Sequence, residues 1–180
     1  MGVMLLAALW GFAEATLFII VPDVALTAVA LLAGWRRALL ACLWAVAGAL
    51  VGGALMHRWG SIDPSGAVAA LTRLPAISPG MVRAVGAELA DLGFPALMLG
   101  PLSGRPYKIY AVQAGAAGMG LVPFLAVSVP ARLARFVLLV LLVAAIDRAL
   151  ASRLALRLRL ALLAGAWSVF YAAYFVRMSG

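Results

Sequence analysis

The sequence predicts an all-α integral membrane protein. It is built as an inverted repeat of two broken re-entrant hairpins, each followed by a transmembrane helix, with one further transmembrane helix at the C-terminus. Three observations lead there. The 180 residues are 67% hydrophobic and only 11% charged, whereas a soluble domain is about half apolar and a quarter charged. Long uncharged runs recur, of 19 residues at 38–56 and 17 at 160–176, near the ~20 residues that a spanning helix needs. Two other apolar stretches are interrupted by Pro, Gly and ionisable residues. Disorder is excluded, because it requires low hydrophobicity.

Residues 2–33 are apolar but carry Glu14 and the run Val21-Pro22-Asp23. They lack the basic start and cleavage pattern of a secretory leader. The stretch is long for one span and short for two, and Pro22 interrupts a helix by removing a donor and crowding the preceding turn. Two half-length helices over 3–20 and 23–34 are expected, meeting at Pro22-Asp23. Arg36-Arg37 close the unit. The span at 38–56 contains Gly48-x-x-x-Gly52, a spacing that lets helices approach closely.

Residues 57–93 hold His57, Arg58, Asp63, Arg73, Arg83, Glu88 and Asp91, with Pro64, Pro75 and Pro79, and read as an extramembrane connector (60–93 in the domain division). Ser78-Pro79 has the form of an N-cap followed by Pro at the first helical position. It predicts a short amphipathic helix over 79–92 that ends at Gly93. The broken theme then repeats over 94–120. Phe94 to Leu99 runs into Gly100-Pro101-Leu102-Ser103-Gly104-Arg105-Pro106-Tyr107-Lys108, and Ile109 to Ala117 is apolar again. A regular helix does not accommodate two Pro and two Gly so close together. A span follows at 121–147, containing Pro123, Pro130, Arg132 and Arg135. A basic loop with Arg148, Arg153, Arg157 and Arg159 precedes the final span at 160–176. The chain is one membrane domain: first hairpin and span (1–59), connector (60–93), second hairpin and span (94–147), final span (160–177).

One span separates the hairpins, so they enter from opposite faces, the plan of transporters with a site near the midplane. Net charge is +8. Basic loops beside an anionic leaflet account for it, and nucleic acid is not an expected partner. Six Arg on one side (36, 37, 148, 153, 157, 159) against four on the other (58, 73, 83, 177) place the first group and the N-terminus in the cytoplasm by the positive-inside rule.

Six ionisable side chains fall inside apolar segments: Glu14, Asp23, Arg105, Lys108, Arg132 and Arg135. Each costs roughly 2.5–3.5 kcal/mol at a helix centre, so they must pair or line a wet cavity. Arg132 and Arg135 share a helix face, and one reading has them pair with Glu14 or Asp23 merely to hold the bundle. Four bases against two acids leave a surplus of two positive charges, which suggests an anion as the missing partner. Arg forks match phosphate oxygens, and broken helices expose amides that attract phosphate.

Other motifs carry less. Gly100 to Lys108 lacks the spacing and the Ser/Thr of a nucleotide-binding loop. One Cys (Cys42) and one His (His57) supply no zinc site, and no cofactor is expected. Glu14 and Asp23 are the candidate acid/base pair. Tyr107, Tyr110, Trp35 and Trp167 read as interfacial aromatic belts, His57 as interfacial, and Ser103 as a cap for a half-helix.

Glu14 with the Pro22-Asp23 break, Pro106-Tyr107-Lys108 running to Ala114-Gly115, and Arg132-x-x-Arg135-Phe136 together resemble the DedA family, also called VTT or SNARE-associated membrane proteins, in its short YqaA-like branch. The likeness covers about residues 10–146. Ile20 stands where many members have the first Pro of Pro-x-Pro, and Arg105 and Lys108 replace the two Arg that flank Pro-Gly in the main branch. The resemblance implies a multi-pass protein of the bacterial inner membrane that translocates or scrambles phospholipid or undecaprenyl phosphate. It implies Glu14 and Asp23 as proton-coupling acids, and Arg105, Lys108, Arg132 and Arg135 as substrate-binding bases.

The expected function is therefore non-enzymatic movement of a phosphate-headgroup lipid between leaflets, with a proton gradient as a candidate energy source and a homo-oligomer compatible with the sequence. A proton-coupled transporter of a small solute, a lipid-modifying enzyme and a structural membrane subunit are the rival readings. The enzyme would need a nucleophile or a metal.

Overall fold

In the computed structural model, residues 1–178 are described, without the side chains of 101–103 and 178. They form nine helices and no strand: α1 (Gly2–Ala15), α2 (Asp23–Ala33), α3 (Trp35–Ile62), α4 (Pro64–Leu71), α5 (Pro79–Leu92), α6 (Pro95–Ser103), α7 (Tyr107–Ala116), α8 (Leu121–Leu150) and α9 (Leu156–Met178).

Three of these, α3, α8 and α9, are long and apolar enough to cross a membrane. At 1.5 Å per residue, the 28 residues of α3 extend ~42 Å, beyond the ~30 Å of a hydrocarbon core. α1 and α2 have 14 and 11 residues, and α6 and α7 have 9 and 10. Each is too short to cross alone.

The first break is wider than the sequence predicts. α1 stops at Ala15 rather than near residue 20, because the Thr16 hydroxyl turns back onto the carbonyls of Phe12 and Ala13. This side chain offers the backbone an alternative to the next helical bond. α2 begins at Asp23 and ends at Gly34 (φ 84°), a conformation that favours glycine. The second break is narrower than expected. Gly100 and Pro101 continue α6, and the chain turns at Gly104 (φ 73°) into extended Pro106.

The connector is also more helical. α5 spans Pro79–Leu92 as predicted, with Ser78 Oγ accepting from the Met81 amide at 3.1 Å. α4 was not anticipated. Asp63 caps it by accepting from the Gly66 amide at 2.9 Å, with Pro64 in the first turn. That hydrogen bond, and one from the Ser65 hydroxyl, hold the Asp63 carboxyl below its usual range.

α3 is the axis of the fold. Along its first half α1 lies in backbone contact. A Cβ on Gly48 would fall 1.9 Å from the Ala8 carbonyl oxygen, and one on Gly11 2.0 Å from that of Ala45. Gly48-x-x-x-Gly52 thus serves the close approach that its spacing suggests. Along the second half α7 does the same, with Gly60 against the Val112 carbonyl and Gly115 against that of His57. Two apolar cores follow: one from α1, α2, α3 and α8 around Leu26, Phe136 and Val140, the other from α3 to α8 around Met56, Tyr110 and Phe124. The outer faces remain apolar, with Leu9, Trp44, Val51, Leu138 and Val169 each more than half exposed.

Candidate functional site

The two breaks meet. Lys108, in the first turn of α7, is buried and donates its Nζ to the Phe18 carbonyl in the break between α1 and α2. A cavity of about 470 Å³ opens beside this junction. Glu14, Arg105, Lys108, Arg132 and Arg135 all line it, so five of the six charges singled out in the sequence share one space. Asp23 lies behind the wall, 1% exposed.

The charges are organised by partner. Arg132 pairs with Glu14, with both side chains nearly buried. Arg135, nearly one turn on along α8, pairs with Asp23 at 2.6 Å. The pairing considered as a purely structural alternative is therefore the observed geometry for these two Arg. Arg132 is further clamped by aromatic faces, its guanidinium carbon 4.5 Å from the Tyr107 ring centroid and 5.2 Å from that of Phe136. Tyr107 donates to Ser128 Oγ at 2.9 Å, and Ser128 donates to the Phe124 carbonyl at 2.8 Å, which locks the ring beneath the cation.

Arg105 pairs with Glu88 of α5, and Tyr110 donates to the other Glu88 oxygen at 2.9 Å. This corrects the charge count. Glu88 belongs to the connector, where an acid on an amphipathic helix ordinarily faces water. The packing of α5 on α7 brings it to the cluster. Four bases then stand against three acids, and the surplus is one positive charge, not two. Among the described residues Lys108 has no carboxylate within ion-pair distance. Two buried polar atoms of the cluster, Arg132 Nε and Asp23 Oδ1, also lack a hydrogen-bond partner among those residues.

Several expectations change with this geometry. Tyr107 and Tyr110 are interior groups of the site, not belt residues: each hydroxyl donates to a side chain of the protein, Ser128 and Glu88. Trp167 also turns inward, donating Nε1 to Thr27 Oγ1 at 3.1 Å. Trp35 stays exposed, with the Arg36 guanidinium over its ring. His57 is buried rather than interfacial. Its Nε2 donates to the Met119 carbonyl at 2.8 Å, and its ring rests on Phe124. The Ser103 side chain lies outside the described residues. No group of three or more His, Cys, Asp or Glu among the described residues is placed to hold a metal.

Most of the remaining lining of the cavity is apolar and aromatic. It comes from Phe136, Leu139 and Val143 of α8 and from Leu163, Trp167, Phe170, Tyr171 and Tyr174 of α9. Besides Arg159, the half-buried positions of that helix are Leu160, Leu163, Trp167, Tyr171 and Tyr174, a three-four spacing that forms one stripe. The stripe is fixed to the first break, where the Val21 amide donates to Tyr171 Oη at 2.8 Å. The cavity is therefore lined by charged groups and by hydrocarbon alike. No family model, curated protein or solved structure matches this chain.

Proposed function

We propose that this protein moves a lipid with an anionic phosphate headgroup between the leaflets of the bacterial inner membrane, through re-entrant hairpins related as an inverted repeat. The observation that carries the reading is the mixed lining of one cavity: four bases together with the aromatic stripe of α9 and apolar side chains of α8. A soluble anion would need only the first, and a sterol-like molecule only the second.

Charge supports a particular headgroup. A surplus of one positive charge, centred on Lys108, suits a phosphodiester with one negative charge better than a monoester, which carries about −1.5 to −2. Lys108 and the forks of Arg105, Arg132 and Arg135 would hold the phosphate. Glu14 and Asp23 would compete with it for two of those Arg, so that their protonation releases the Arg to the headgroup. A structural subunit is the competing reading, favoured by the three Arg–carboxylate pairs. The buried, carboxylate-free Lys108 argues against it, because an unneutralised buried charge destabilises a purely structural network.

The test is reconstitution in phosphatidylcholine vesicles carrying a trace of tail-labelled fluorescent phosphatidylglycerol, with the outer leaflet bleached by dithionite. Wild type is expected to bleach the inner-leaflet half as well. Lys108→Gln should slow this by about tenfold or more, the loss of one charge-assisted hydrogen bond. Folded wild-type protein that leaves half the signal protected would overturn the proposal.

A further inference from the structure

A second ion pair stands apart from the cluster. Arg159, in the first turns of α9, bridges to Asp147 near the end of α8, and both side chains are largely buried. Arg159 Nε is buried with no hydrogen-bond partner among the described residues. The pair closes one end of a second cavity of about 290 Å³, whose other walls are the apolar side chains of Leu31, Val143, Ile146, Leu150, Leu162 and Leu163, with Ala166. Val143, Leu163 and Ala166 line this cavity and the charged one alike. The two spaces thus adjoin along the seam between α8 and α9.

Spacing gives the seam a meaning. Arg135 and Asp147 are twelve residues apart on one helix, ~18 Å at 1.5 Å per residue, which is close to half of a ~30 Å hydrocarbon core. If the charged cavity sits near the midplane, the Asp147–Arg159 pair sits at a membrane surface. Arg148, Arg153 and Arg157 are exposed around it, and Asp147 is the only acid from residue 92 onward. That is the setting in which anionic lipids gather, at about 1 kcal/mol per basic side chain.

We propose that the α8–α9 seam is a lipid portal: an anionic phospholipid docks with its phosphate on Arg159, displacing Asp147, and lays an acyl chain along the apolar groove that leads to the charged cavity. This rests on the proposed lipid-moving function for its purpose, though not for the binding itself. The occupant is a lipid rather than free phosphate, because apart from this one pair the groove is lined by hydrocarbon.

The experiment titrates purified full-length protein in detergent with dioleoyl phosphatidylglycerol, dioleoyl phosphatidylcholine or inorganic phosphate, and counts bound lipid by native mass spectrometry. Wild type should bind phosphatidylglycerol in preference to phosphatidylcholine, with no stabilising effect of phosphate alone. Arg159→Gln should weaken phosphatidylglycerol binding about fivefold, the equivalent of one basic contact. Asp147→Asn, which removes the competitor, should strengthen it. A merely structural ion pair would shift both variants in the same direction. Equal binding of the two lipids, or variants that move together, would overturn the portal. If the binding pattern appears but no lipid crosses in the vesicle assay, the portal stands and the transport reading falls. Crossing that persists with binding indifferent to Arg159 gives the reverse.

Discussion

Glu14 and Arg132 separate a structural role from a functional one. Their side chains are 6% and 7% exposed, so removing one partner strands the other charge in a poorly solvated place. Breaking a buried pair costs about 3–5 kcal/mol. Glu14→Gln keeps an acceptor for the guanidinium, and Arg132 keeps its two aromatic faces, so the lower end applies. At about 2–4 °C per kcal/mol for a chain of this size, a loss of ~3 kcal/mol lowers the melting temperature by about 6–12 °C. The double variant Glu14→Gln/Arg132→Gln removes both charges and should recover to within about 1 kcal/mol of wild type. The assay is thermal unfolding in detergent for the four proteins of the cycle, with vesicle lipid movement measured on the same samples. The double variant is expected to be stable and inactive. If it recovers lipid movement along with stability, the pair only holds the bundle and the site reading is refuted. If it melts below both single variants, the two groups are not coupled as the geometry requires.

Lys108→Met should raise the melting temperature while lowering lipid movement, because it replaces a buried cation whose partner is a single carbonyl, a trade of stability for function; unfolding scans and the dithionite assay check it. Gly48→Ala should prevent stable folding in the membrane, since its Cβ would meet the Ala8 carbonyl at 1.9 Å and force α1 off α3; expression and monodispersity by size exclusion report it. Asp63 has a carboxyl held low by the Gly66 amide and Ser65, so the stability it contributes is present above the unfolded carboxylate pKa and fades as pH falls through the lower folded value. Asp63→Asn should flatten that acid limb in melting curves taken from pH 6 to 2. Impermeant thiol labelling at Ser61→Cys and Ser152→Cys in a Cys42→Ser background should modify the two positions from opposite sides; labelling from the same side would reject the inverted arrangement.

Local chemistry made much of this fold legible. Uncharged runs announced α3 and α9, an apolar stretch announced α8 despite Arg132 and Arg135, Ser78-Pro79 marked the start of α5, and Gly93 ended it. The breaks were legible as breaks but not in extent. Whether Gly100 and Pro101 end a helix depends on neighbours, and α6 continues through them until Gly104 enters the left-handed region. The five charges around the cavity were selected for a reason that also holds in three dimensions: apolar segments tolerate ionised groups only where partners or water meet them. Partners themselves were illegible. Glu88 reaches Arg105 across 17 positions, and Arg132 reaches Glu14 across 118; neither spacing has a local period. Tyr107, Tyr110 and His57 look like belt residues in sequence because an amphipathic ring at a helix end suits an interface. Only packing reveals that each polar tip has a partner within the protein.

The distribution of those partners bears on how the cavity would work. Arg105, Arg132 and Arg135 are held by acids that come from three different elements, α5, α1 and α2, so the forks are oriented before any ligand arrives. Preorganised donors lose little freedom on binding. A ligand phosphate would have to compete with carboxylates at those three positions, but at Lys108 it displaces only a backbone carbonyl from the first break. Under the proposed function Lys108 would therefore be the point of first capture, and the Arg would be reached as their acids yield. Because the carbonyl that Lys108 would release belongs to Phe18, between α1 and α2, capture at the second break would loosen the first. Lys108→Arg tests this directly: it retains the charge but, with a longer fork, should hold the Phe18 segment more firmly. Headgroup binding should then survive while lipid movement slows, and a variant as fast as wild type would show that the two breaks are not coupled through this side chain.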